Sequence, residues 1–87
     1  MEDLQVGQLV RSRAGRDRGN YYLIYDVLDE AFVRVIDGEK KRLTNPKRKN
    51  IKHLEALSVP ERELADRLRD GKAVTDDEVI KIIRSLG

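Results

Sequence analysis

The loop from Arg13 to Gly19, wedged between two strand-like runs, most limits what this chain can fold into. Leu9 and Val10 centre a short apolar strand that runs into the loop. The run from Tyr21 to Leu28 follows it at once and is rich in aromatic and branched residues, the composition of a strand rather than a helix. The spacing therefore predicts a hairpin. Gly15 and Gly19 permit the left-handed backbone of a tight turn and leave no side chain where another molecule could come close. Arg13, Arg16 and Arg18 then project from a constrained loop, an arrangement suited to gripping phosphate.

The same β character continues to about residue 57. Asp29-Glu30 supplies a polar turn, Ala31 to Ile36 a further strand, and Asp37-Gly38 a strong two-residue hairpin signal. Glu39 to Leu43 is then expected as the return strand, charged enough to lie at an edge. Asn45-Pro46 breaks the pattern, and Ile51 to Leu57 is expected as a last short strand. Four or five short strands at this spacing predict a small, strongly bent sheet or barrel over residues 1–57. Residues 58–87 read as α. Ser58-Val59-Pro60-Glu61 is a capping box opening a helix to about Arg69, with Leu64, Ala65 and Leu68 on its packing face and Gly71 at its C-terminal cap. Thr75-Asp76-Asp77-Glu78 is a second capping box. Val79, Ile82, Ile83 and Leu86 follow as an amphipathic stripe. The predicted class is mainly β with α, a barrel followed by a two-helix hairpin appendage.

Composition excludes several functions. There is no cysteine, so disulfides and thiolate metal sites are out. Hydrophobic and charged residues each make up 39% of the chain and aromatics only 5%, so the core must be modest and aliphatic. No apolar run approaches the roughly 20 residues of a membrane helix, and the first residues, Met1-Glu2-Asp3, are acidic where a signal peptide would be basic. A cytoplasmic protein with no membrane partner is expected. His53, the only histidine, sits among lysines, and no nucleophile is arranged beside it. Helix capping accounts for Asp76, Asp77 and Glu78. No enzyme, cofactor, metal or small-molecule substrate is expected.

Net charge is only +2, but its distribution is uneven. Lys40, Lys41, Arg42, Lys47, Arg48, Lys49 and Lys52 fall in one segment that contains no acid, a positive patch that the total conceals. A charged edge strand with a solvated loop would have the same composition. Pro46 stiffens the approach to the second half of this run. Four to six of these cations on unpaired RNA would give a log–log salt slope of roughly −3 to −4. Tyr21 borders the arginine loop and is the first candidate among Tyr21, Tyr22, Tyr25 and Phe32 for stacking on an unpaired base.

Gly7, Val10, Gly15, Asp17 and Gly19 fall where the KOW motif expects a glycine, a buried branched residue and a Gly-x-Asp-x-Gly loop, so this stretch resembles that motif. Asp17 is expected to organise the loop by accepting backbone N–H groups, leaving Arg16 and Arg18 for RNA. Asp37-Gly38, Lys41-Arg42 and Asn45 to Leu54 then look like the segment that follows the KOW loop in the ribosomal protein L-fourteen-e family. The likeness is closer still to small bacterial KOW-domain relatives of that family. It spans about Gly7 to Leu54. It implies an SH3-like barrel that binds ribosomal RNA without catalysis and has ribosomal proteins as further neighbours. The RNA-contacting residues would be Arg13, Gly15, Arg16, Arg18, Gly19, Tyr21 and the seven basic residues from Lys40 to Lys52. The helices from Ser58 onward read as a departure from that core domain. The alternative is a protein-interaction module of the transcription or translation machinery that uses the barrel or the helices.

Overall fold

The computed structural model describes residues 4–57 and 62–86. Five strands appear in chain order: β1 (Leu9–Ser12), β2 (Tyr21–Val27), β3 (Phe32–Ile36), β4 (Lys47–Asn50) and β5 (Leu54–Ala56). They form one antiparallel sheet in the order β4-β3-β2-β1-β5. Two helices follow, α1 (Arg62–Arg69) and α2 (Asp76–Leu86). The predicted class, mainly β with two C-terminal helices, is the one found.

The connectivity forces the sheet to curl. β4 and β5 are its two edges, yet a 3-10 turn of three residues, Ile51–His53, joins them. Such a turn rises only about 6 Å, whereas a flat five-stranded sheet would hold its edges about 19 Å apart. A bulge in β2, where the register shifts between Ile24 and Asp26, adds to the bend. The concave face buries Val10, Tyr22, Ile24, Val33, Val35 and Leu54. The opposite face is apolar too: Leu9, Leu23 and Ile36 pack there with Leu64 of α1 and Val79 of α2. The sheet is thus buried on both sides, once by its own curvature and once by the helices.

One strand lies elsewhere than expected. Glu39–Leu43 is not a return strand but part of a loop. The Asp37 carboxylate accepts the backbone N–H groups of Glu39 (2.9 Å) and Lys41 (2.8 Å), and the Asp37 and Gly38 N–H groups donate to the Lys41 carbonyl. Backbone groups satisfied locally are not offered to a ladder. The strand paired with β3 is the still more basic Lys47–Asn50. Asp37-Gly38 serves a different purpose: φ at Gly38 is +82°, and a Cβ there would lie 2.5 Å from the Asp76 carbonyl oxygen. The loop is seated on the first turn of α2, where the Asp76 carboxylate also accepts the Leu43 N–H (2.9 Å).

The helix signals read more directly. The Glu78 N–H donates to Thr75 Oγ1 (3.2 Å), as the second capping box requires. At the end of α1 the Lys72 N–H reaches back to the Arg67 carbonyl (2.9 Å), the Schellman bond expected around Gly71. Arg67 joins the two helices through Glu78 (2.5 and 3.0 Å), and this pairing holds the Glu78 carboxyl below its ordinary range. The capping box expected at Ser58–Glu61 lies outside the described residues. Among those residues, no helix is long and apolar enough to cross a membrane.

Candidate nucleic-acid interface

Strand alternation decides which cations share a face. Lys47 and Lys49 stand opposite Val35 and Val33 in the β3–β4 register, so they point to the concave side at its rim. Arg48 stands opposite Arg34 and points the other way. Its guanidinium lies 4.7 Å from the centre of the Phe32 ring. What reads in sequence as one basic run is divided between two surfaces.

On the concave side, the arginine loop folds against β4 around Asp17. Ser12 Oγ (2.9 Å) and the Tyr22 hydroxyl (2.8 Å) donate to its carboxylate, and the Lys49 ammonium forms an ion pair with it. Asp17 is therefore a loop organiser, as expected, but through side-chain donors rather than the backbone N–H groups that were expected. Its side chain is only 15% exposed and that of Lys49 only 17%. Burial alone would raise the Asp17 carboxyl, but the hydrogen bonds from Lys49, Tyr22 and Ser12 outweigh it and hold the group well below the usual carboxylate range. Burial, and then the bond to Asp17, pushes the Tyr22 phenol up to about 12. The buried Tyr22 ring also carries Lys41 Nζ at 5.0 Å and Lys49 Nζ at 5.9 Å from its centre.

This junction leaves a groove of about 390 Å³ between loop and strand. Arg16, Lys41, Lys47, Lys49 and His53 line it, with Asp17, Ala14 and Gly15. Lys49 and Asp17 neutralise each other, so Arg16, Lys41 and Lys47 supply its excess positive charge. Beside the groove, Arg13 Nε donates to the Lys52 carbonyl (3.0 Å) and the Arg13 N–H to the His53 carbonyl (2.9 Å). These bonds seat Arg13 on the 3-10 turn that carries exposed Lys52.

Not every sequence candidate gathers here. Arg18 and Gly19 are exposed on the far half of the loop. Arg42 is exposed, with Nε bonded to the Glu39 carbonyl (3.0 Å). Tyr21 and Lys40 line a separate cleft against α2. Sequence reasoning missed Ser12 and Tyr22 as anchors of Asp17. Alternation could have found them, since each lies two residues from an inward-facing neighbour, Val10 or Ile24.

The chain is 34% identical over 90 residues to large ribosomal subunit protein eL14 of Staphylothermus marinus, a match covering all of this chain and 83% of that protein. It belongs to the eL14 family. A match of 33% to eL14 of Desulfurococcus amylolyticus again covers the whole chain and 83% of that relative. Over 55 residues, 63% of the chain, identity to eL14 of Methanococcus maripaludis is 44%. No family model matches the chain. The resemblance drawn from Gly7 to Leu54 thus holds, and it extends further: α1 and α2 lie within the span matched to the eL14 relatives, so the helices are no departure from the family.

Proposed function

We propose that this chain is a non-catalytic, cytoplasmic RNA-binding protein that associates with the large ribosomal subunit through ribosomal RNA. The observation that carries this reading is the groove between the arginine loop and β4, where Asp17 fixes two basic segments side by side. A site with an excess of fixed positive charge and glycine at its lip suits a phosphate backbone, and it reads shape more than sequence. Arg13, Arg16, Lys41, Lys47 and Lys52 make the phosphate contacts, Arg18 extends them along the loop, and Lys49 acts mainly by holding Asp17. The curled sheet carries these contacts, and α1 and α2 brace its back. Membership of a family of large-subunit proteins supports the same partner.

Sedimentation of the tagged protein from its own cells, at moderate and at high salt, tests this function. Migration with the large subunit, weakened by salt and lost in an Arg16→Glu/Lys47→Glu double variant that keeps its circular dichroism spectrum, is the expected result. A protein that stays at the top of the gradient in both salts overturns it.

A further inference from the structure

The loop that lines the basic groove has a second side. Gly15, Arg16 and Asp17 face the groove, whereas Gly19, Asn20 and Tyr21 form one wall of a cleft of about 370 Å³. Ile80 and Ile83 of α2 line it too, with the charged residues Asp37, Glu39, Lys40 and Arg84. Tyr21 is 37% exposed, unlike Tyr22, which is fully buried. A cleft lined by an aromatic residue, by branched apolar side chains and by charges that balance matches a flat, uncharged heterocycle. The two acids in the cleft are already engaged. Asp37 holds backbone N–H groups of its own loop, and Glu39 faces Arg84 at 3.9 Å. A Cβ built on Gly19 would meet nothing within 4 Å, so the loop presents bare, unobstructed backbone at this point.

Resting on the RNA reading above, we propose that this cleft receives one unpaired nucleobase of the RNA strand held in the basic groove. Tyr21 stacks on the base and α2 closes the other side. The occupant is a base rather than a segment of a protein partner, because the loop that lines the basic groove also lines the cleft, and the charges in the cleft, Lys40 and Arg84 against Asp37 and Glu39, balance, as an uncharged heterocycle requires. It also gives the second helix a part in binding, in addition to its part in the core.

The test uses two fluorescent single-stranded oligomers of about twelve units: RNA of alternating adenosine and cytidine, and an abasic ribose-phosphate oligomer of equal charge. The full chain should bind the RNA more tightly than the abasic oligomer. Tyr21→Ala should weaken RNA binding roughly tenfold, leave the salt slope unchanged and leave abasic binding untouched, while Tyr21→Phe should retain wild-type affinity. If Tyr21→Ala changes neither affinity, or lowers both equally, the base site is overturned, and the first outcome leaves the cleft to a protein partner. If the wild-type chain binds neither oligomer, or if Arg16→Glu/Lys47→Glu leaves both affinities intact, the groove reading fails and the base site falls with it. Circular dichroism of each variant establishes that it is folded.

Discussion

Replacing Asp17 with asparagine tests the central contact directly. The carboxylate accepts from Ser12 and Tyr22 and is ion-paired to Lys49, and Ser12 and Tyr22 are 1% and 0% exposed. An amide keeps the volume, but it loses the charge and turns one acceptor oxygen into a donor. Leaving a buried donor unsatisfied costs about 1–3 kcal/mol, and breaking a buried ion pair about 3–5. With both side chains still about one-sixth wetted, a total near 3 kcal/mol is expected. A domain of this size has roughly 4–13 kcal/mol in all, so the variant should lose a large fraction of its stability. Urea unfolding followed by far-UV circular dichroism measures the loss. The pH dependence supplies a second check. The folded carboxyl is held below its unfolded value, so its contribution is complete above the unfolded pKa of about 4 and fades as pH falls toward the folded one. The gap between wild type and Asp17→Asn should therefore be constant from pH 7 to about 5 and narrow steadily below about 4. Other carboxylates are common to both proteins and cancel in the difference. A gap under about 1 kcal/mol at pH 7, or one that does not narrow in acid, would refute the assigned role.

Three further outcomes follow from the geometry. Lys47→Glu should weaken RNA binding and reduce the magnitude of the salt slope by roughly 0.7 or more, whereas Arg48→Glu, on the opposite face, should leave the slope nearly unchanged; salt-dependent fluorescence anisotropy separates the two. Gly38→Ala should lose about 1–2 kcal/mol to backbone strain and about 1–3 more to the collision with Asp76 and Ile80, while Gly19→Ala should show only the strain; paired urea curves compare them. Tyrosinate absorbance should show Tyr22 ionising near pH 12. Because this pKa is raised, its stabilising effect is complete below about pH 10 and disappears as pH rises toward 12, so Tyr22→Phe should be less sensitive to alkali than wild type.

Local chemistry that acts within a few residues was legible in the sequence. The Thr75 capping box, the turn around Gly71, the apolar stripe of α2 and the strands at Leu9, Tyr21 and Phe32 each depend on side chains and backbone close together in the chain. Two matters were not legible, for one reason. Asp37-Gly38 carries a hairpin signal, but whether the chain returns as a strand depends on what the Asp37 carboxylate binds and on α2, whose Asp76 lies more than thirty residues away. The basic run likewise shows no side-chain pattern until its pairing is known. Once Lys47–Asn50 is placed opposite Phe32–Val35, pleating assigns each cation to a face. Asp17 could be recognised as a loop organiser from its glycine flanks, but its partner Lys49 could not, because the two meet only when the sheet curls.

That meeting bears on how the groove achieves affinity. The chain carries Lys49 into a contact that is largely withdrawn from water and neutralises it, which removes a cation from a surface expected to bind phosphate. In return, the loop bearing Arg16 is fixed against the strand bearing Lys47, and Lys41 is held over the Tyr22 ring. Ordering a flexible side chain on binding costs about 0.5–1.5 kcal/mol, and fixing several residues of a free loop costs more. An exposed lysine adds about one phosphate contact, whose worth falls steeply with salt. A preformed groove keeps its geometric advantage at any ionic strength. A protein built around Asp17 and Lys49 should therefore lose more RNA affinity from Lys49→Gln at high salt than the removal of one exposed phosphate contact would predict.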